Sequence, residues 1–130
     1  MKLVLDTNAY VGFASGDQAV VSEISRPDSR LYLPFPVLGE LAYGFAKGSH
    51  SALNHRKLRD FIEALQVQTI ESTPEVISLY GRIYLDLVQR GRKIPINDVW
   101  IAACCMSIDG VLLTRDAHFD AVEGLSVVMP

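Results

Sequence analysis

Four carboxylates, Asp6, Glu40, Asp98 and Asp116, stand beside residues that belong in a hydrophobic core. Asp6 follows Leu3-Val4-Leu5, and Asp116 comes shortly after Val111-Leu112-Leu113. Asp98 opens the nearly continuous apolar stretch from Val99 to Met106, and Glu40 lies between Leu38 and Leu41. If they converge on one cleft, two carboxylates about 4 Å apart repel by roughly 4 kcal/mol at an effective dielectric of about 20. Such a cluster must hold either protons or cations. An all-oxygen set with no His or Cys among its ligands favours Mg²⁺ or Mn²⁺ over Zn²⁺. A hard divalent ion in a carboxylate cup acidifies water, orients a phosphate and offsets charge on a leaving oxygen. The chemistry implied is phosphodiester hydrolysis.

Positioning these acids requires a particular order of elements. Leu3 to Leu5 reads as a central strand that runs at Asp6-Thr7-Asn8 straight into a helix. Asp17 caps a helix to about Ser25, and Leu31 to Leu33 forms a second strand. From Pro36 to Lys47 the pattern is helical, with Val37, Leu41 and Phe45 on one stripe and Gly48 as the stop. Ser49 or Ser51 opens the next helix, which turns Leu53, Leu58, Phe61, Ile62 and Leu65 inward and His55, Arg56, Lys57 and Arg59 outward.

Val67 to Ile70 makes a third strand. Thr73-Pro74-Glu75 starts a helix whose core face carries Val76, Leu79, Ile83 and Leu87, and Arg90-Gly91-Arg92 ends it. After the extended Ile94-Pro95-Ile96, Asn97 caps a central helix. Val111 to Leu113 and Ser126 to Val128 supply the last strands. Alternating strands and helices predict an α/β fold: a three-layer sandwich with a central, mainly parallel sheet and helices on both faces, in one domain spanning residues 1–130. In such sheets functional residues gather beyond the carboxyl ends of the strands, where strand order reverses.

Four segments carry a resemblance: Leu3-Val4-Leu5-Asp6-Thr7-Asn8, Gly39-Glu40-Leu41-Ala42-Tyr43-Gly44, Asn97-Asp98-Val99-Trp100-Ile101-Ala102-Ala103, and Leu112-Leu113-Thr114-Arg115-Asp116-Ala117-His118-Phe119. In order and spacing they resemble the four motifs of the PIN-domain nucleases, and in length and pattern the VapC-type toxins of toxin–antitoxin pairs. The resemblance implies a PIN-like fold and an endoribonuclease that cleaves RNA by metal-activated water, uses Mg²⁺ or Mn²⁺, and leaves a 5′ phosphate. It implies a small cognate antitoxin as partner and a homodimer as the assembly. By position, Asp6, Glu40, Asp98 and Asp116 become the catalytic, metal-binding acids. Asn8 and Thr114 become the polar residues whose hydrogen bonds orient them.

Other residues near these motifs have open roles. Asp120 is either a further acid of the site or a capping, solvent-facing residue. His118 reads as a loop residue near substrate, since metal chemistry removes the need for a general base. Tyr10, Phe13, Tyr43 and Phe45 fall on helices that the resemblance assigns to an antitoxin-binding groove, where aromatic anchors are expected. Arg92, Lys93 and Arg115 lie between or beside two motifs and are expected to contact RNA phosphates. Arg56, Lys57 and Arg59 read as a solvated face.

The 130 residues carry a net charge of −3, from twelve basic and fifteen acidic side chains. That balance alone argues against a polyanionic partner. Setting the four candidate acids aside leaves twelve basic against eleven acidic residues, so the apparent acidity resides in the expected metal cup. Cys104 and Cys105 are adjacent within an apolar stretch, a spacing that suits neither a metal knuckle nor a redox pair. They read as buried hydrophobes suited to a reducing compartment. Asp6 interrupts the N-terminal apolar run too early for a signal peptide, and no run reaches membrane-spanning length. A cytoplasmic protein without membrane contact is expected. Two alternatives use the same residues: a PIN-fold module that binds RNA or protein without turnover, and a phosphotransfer or haloacid-type hydrolase with Asp6 as nucleophile. The latter chemistry calls for an acid where this chain has Asn8.

Overall fold

In the computed structural model, which describes residues 1–130, strand β1 (Lys2–Leu5) occupies the middle of a five-stranded sheet. Its neighbours are β2 (Arg30–Pro34) on one side and β4 (Val111–Leu113) on the other, with β3 (Gln68–Ile70) and β5 (Ser126–Val128) at the edges. All four pairings are parallel, so a sheet expected to be mainly parallel is wholly so. Leu3 stands opposite Leu31 on one side and Val111 on the other, and Leu5 stands opposite Leu113. The spatial order β3-β2-β1-β4-β5 reverses direction between β1 and β4. Beyond the carboxyl ends of those two strands lies the topological crevice of an open α/β sheet.

Six helices flank the sheet on its two faces: α1 (Thr7–Ala14), α2 (Gln18–Ile24), α3 (Phe35–Lys47), α4 (Ser51–Ala64), α5 (Pro74–Gln89) and α6 (Ile96–Ser107). Leu3, Val4 and Leu5 are fully buried, as are Ala102 to Cys105 on α6, so the central strand and the last helix anchor one continuous core. Burial on both faces of a parallel strand explains why β1 reads as an unbroken apolar run. The sequence-encoded helix starts at Asp17 and Thr73 appear as expected. Asp17 Oδ1 accepts from the Ala19 and Val20 amides, and Thr73 Oγ1 accepts from Val76.

Two local expectations are corrected. Helix α6 starts two residues earlier than expected, with Pro95 in the capping position, where its carbonyl accepts from the amides of Asp98 and Val99. Asn97 therefore lies inside the first turn and caps nothing. Helix α4 begins at Ser51, one of the two expected starts, with His50 ahead of it making no side-chain capping bond. Its inward face is narrower than expected, because Leu53 and Leu65 are 40% and 41% exposed while Leu58 and Phe61 are buried. Leu53 sits five residues before Leu58, about 140° round the helix, and Leu65 lies beyond the last helical residue.

The turn from α6 into β4 decides where Asp116 will stand. Gly110 packs so closely on β1 that a Cβ there would come within 2.8 Å of Val4 Cγ2, 3.3 Å of the Lys2 carbonyl and 3.4 Å of the Cys105 carbonyl. Val4 is fully buried and has no room to yield. Gly110→Ala should therefore lower stability by about 1–3 kcal/mol through overpacking, read as a lower denaturation midpoint. Burial also pushes the thiols of Cys104 and Cys105 up to about 12. Neither should react with a thiol reagent at pH 8 in the folded chain, and both should react after denaturation. Rapid labelling of the native protein would refute that.

Candidate active site

Asp6 stands at the junction of β1 and α1, where it serves two partners at once. Its Oδ1 accepts from the Ala9 amide at 2.7 Å, capping α1, and its Oδ2 accepts the Thr114 hydroxyl proton. The residue is 5% exposed and Thr114 is 2% exposed, so the pair is enclosed by the core. Thr114 Oγ1 in turn accepts from the Asp116 amide at 2.9 Å. One hydroxyl thus ties the end of β1 to the loop after β4.

Asp116 Oδ1 accepts from the His118 amide at 2.9 Å and caps the short 3₁₀ helix Ala117–Ala121. Asp98, in the first turn of α6, lies across the cleft with its Oδ2 3.2 Å from His118 Nδ1. The same nitrogen is 3.2 Å from Asp116 Oδ1. Glu40 enters from α3 and its Oε1 accepts from Thr7 Oγ1 at 2.7 Å. Glu40, Asp98, Asp116 and His118 line a common cleft of about 500 Å³. A second cleft of about 620 Å³ also reaches Glu40 and Asn97, and there Tyr43, Lys47 and Trp100 form its wall.

The electrostatics of this arrangement is set by burial. Desolvation raises the pKa of Asp6 above the ordinary carboxylate value; the bonds from Thr114 and Ala9 oppose that shift, and the charges of Asp116 and Glu40 add to it. Desolvation likewise raises Asp98, opposed by His118 and reinforced by Asp116 and Glu40. Asp6 and Asp98 thus each lie within electrostatic reach of both Asp116 and Glu40. Ligand atoms of Asp98, Asp116 and His118 lie within 4.8 Å of each other. Hard, partly desolvated carboxylates that repel one another fit a divalent cation, whose charge would offset the repulsion.

Sequence reasoning missed one member of this arrangement, Thr7, and the structure leaves several expected residues away from it. His118, expected as a loop residue near substrate, has its ring between Asp98 and Asp116, brought there by the turn that Asp116 caps. Thr7, and not Asn8, contacts Glu40; Asn8 is exposed and forms no hydrogen bond to any of the four acids. The signal for Thr7 was its hydroxyl one residue after Asp6. Asp120 is exposed on the 3₁₀ helix. Arg115 is bound to Asp17 at 2.7 and 3.2 Å, whereas Arg92 and Lys93 are exposed without ion pairs. Of the aromatics expected on one groove, Tyr10 and Phe13 pack on Phe61 of α4. Phe45 meets His55, and Tyr43 faces the cleft beside Glu40.

Comparison with known proteins places this geometry among related chains. The family profile described as PIN domain matches residues 3–125. Ribonuclease VapC5 of Mycobacterium tuberculosis is 28% identical over 125 residues, covering 96% of this chain and 90% of that protein. Ribonuclease VapC1 of Haemophilus influenzae is 29% identical over 121 residues, covering 89% and 87%. Among solved structures, VapBC2 from Rickettsia felis bound to a DNA fragment from their promoter superposes with a TM-score of 0.87. It is 24% identical and covers 100% of this chain and 99% of that one. VapBC-1 from nontypeable Haemophilus influenzae gives a TM-score of 0.86 at 25% identity, covering 99% and 98%.

Two measurements check the electrostatics. Acids with raised pKa bind protons more tightly when folded, so their stabilising contribution is complete at low pH and is lost as pH rises through the raised value. In chelator-treated protein at pH 7, Asp98→Asn should therefore melt a few degrees above wild type. The gain should shrink as the pH falls toward 4 and the wild-type acid takes up its proton. Equal melting temperatures at pH 7 would show that Asp98 carries no desolvation cost. Thr114→Val leaves a buried Asp6 oxygen unpartnered and should cost about 1–3 kcal/mol, whereas Thr114→Ser should retain most of the stability.

Proposed function

The chain belongs to the PIN-domain family, and from that premise we propose that it is a Mg²⁺- or Mn²⁺-dependent endoribonuclease, the toxin of a toxin–antitoxin pair. The observation that carries the proposal is the convergence of Asp6, Glu40, Asp98 and Asp116 at the strand-order reversal, with Asp6 and Asp98 held above their ordinary pKa. The ribonuclease names of the relatives at 28% and 29% identity support the same reading.

Asp98 and Asp116 would hold the cation with Asp6, and Glu40 would stand beside them. A bound Mg²⁺ or Mn²⁺ supplies a Lewis acid for the phosphate and lowers the pKa of water. The chain's own work is positioning. Thr114 holds the Asp6 carboxylate and the Asp116 backbone in register, and Thr7 holds Glu40. In the hydrolysis, water oxygen adds to phosphorus, the bond from phosphorus to the 3′ oxygen breaks, and the proton passes to that oxygen. The products are a 5′ phosphate and a 3′ hydroxyl. Arg92 and Lys93, exposed just ahead of α6, would contact backbone phosphates. Arg115 would do so after exchanging Asp17 for phosphate.

The antitoxin would occupy the groove of about 410 Å³ between α1 and α4, where Tyr10, Phe13, Phe61 and Leu65 offer apolar surface between Lys57 and Asp60. The VapBC complexes among the structural neighbours support such a partner. Homodimerisation through α5 accounts for Ile77, Leu85 and Val88, large apolar residues exposed along that helix. No helix is long and apolar enough to cross a membrane, and action on cellular RNA would call for a cytoplasmic protein.

The test is cleavage of total cellular RNA by purified chain freed of any antitoxin. Fragments should carry 5′ phosphates, appear with Mg²⁺ or Mn²⁺, and vanish with EDTA and in Asp98→Asn. Removing a residue that the transition state depends on should cost at least about a hundredfold in rate. Cleavage indifferent to EDTA, or an Asp98→Asn chain as active as wild type, would end the proposal.

A further inference from the structure

We infer that the His118 imidazole is itself a ligand of the divalent-ion site, making the cup a mixed oxygen and nitrogen set that prefers Mn²⁺ to Mg²⁺. The inference rests on the proposed reading of the acids as a cation site. His118 Nδ1 lies 3.2 Å from Asp98 Oδ2 and 3.2 Å from Asp116 Oδ1. An octahedral ion with bonds of about 2.1 Å holds adjacent ligand atoms about 3.0 Å apart. The nitrogen therefore already stands from each oxygen near the spacing of ligands sharing one ion, and the ligand atoms of all three residues lie within 4.8 Å of one another.

A hydrogen bond with Asp98 Oδ2 accounts for one of the two approaches and leaves the equally short one to Asp116 Oδ1 without a bond of its own. One N–H on Nδ1 can point along only one of the two contacts, and a proton divided between two carboxylates makes two poorly aligned bonds. Packing does not explain it either, since the His118 side chain is 53% exposed and lies outside the core. Its backbone, by contrast, is fixed: the amide donates to Asp116 Oδ1, and the next residue, Phe119, is 2% exposed in the core. The ring is thus presented to the acids from a rigid turn.

The chemistry of an imidazole in this position differs from that of another acid. A neutral ring adds a donor atom without adding a negative charge to a cluster that already contains Glu40, Asp98 and Asp116. Mg²⁺ favours oxygen ligands and gives up water reluctantly, whereas the first-row transition ions gain from imidazole nitrogen. Of the two ions proposed for this site, Mn²⁺ gains more from that nitrogen than Mg²⁺ does.

Metal binding to the full chain, without RNA, tests the inference. Pulsed electron paramagnetic resonance of the Mn²⁺-loaded wild type should show coupling to a directly bound imidazole ¹⁴N. His118→Ala and His118→Gln should lose that coupling, and Mn²⁺ affinity should fall at least about tenfold while Mg²⁺ affinity changes less. Melting curves confirm that both variants are folded. Mn²⁺ bound to wild type without nitrogen coupling, or with affinity unchanged in His118→Ala, overturns the ligand role and leaves the acid site standing. No Mn²⁺ binding to wild type, or equal binding to Asp98→Asn, overturns the cation site and this inference together.

Discussion

The Asp6 carboxylate and the Thr114 hydroxyl meet where two adjacent parallel strands end, and the rest of the site is arranged around that enclosed contact. Asp6 closes the last turn of β1 onto α1, while Thr114 carries the Asp116 amide on its other side. A charge placed here has lost most of its water, so each surrounding group either satisfies it or repels it. The Ala9 amide and Thr114 satisfy it; Asp116 and Glu40 repel it. The fold tolerates the repulsion because the strand ends leave the acids nowhere to relax. β1 is buried on both faces, and Gly110 lets β4 pack against it without clearance.

From that constraint the functional geometry follows element by element. The strand order reverses at β1 and β4, so the loops beyond them open a crevice in which α6 and α3 can each place one acid. Asp98 sits in the first turn of α6, where the exposed amides favour a negative charge, yet burial and neighbouring acids still raise its pKa. A polyanionic substrate approaching such a cleft needs cations to neutralise it. Bound divalent metal would supply them at the centre, and Arg92 and Lys93 at the rim. Under the proposed function the modest net negative charge of the chain is compatible with RNA, because acidic charge offset by a bound cation would not be presented to the substrate.

Local physics made much of the fold legible in the sequence. An apolar run too short for a buried helix marked β1, and capping side chains at Asp17 and Thr73 marked the starts of α2 and α5. Where capping chemistry came from the backbone, the reading slipped. The Pro95 carbonyl starts α6, and no side chain announces it, so Asn97 drew the assignment. The inward face of α4 was overestimated because an apolar residue near a helix end is not bound to face the core, as Leu53 and Leu65 show.

The sequence by itself determined which acids are anchored beside the core, since each lies close to buried apolar residues, although only Asp6 is itself buried. It also determined the alternation of strands and helices, and hence a parallel sheet whose strand ends hold Asp6 and Asp116. Tertiary structure alone decided who stands beside each acid. Thr7 reaches Glu40 across 33 residues, Thr114 reaches Asp6 across 108, and His118 reaches Asp98 across 20. Periodicity reports only which face of an element is buried. Contacts at such separations depend on strand order and on the turn that Asp116 caps, and those belong to the folded chain as a whole.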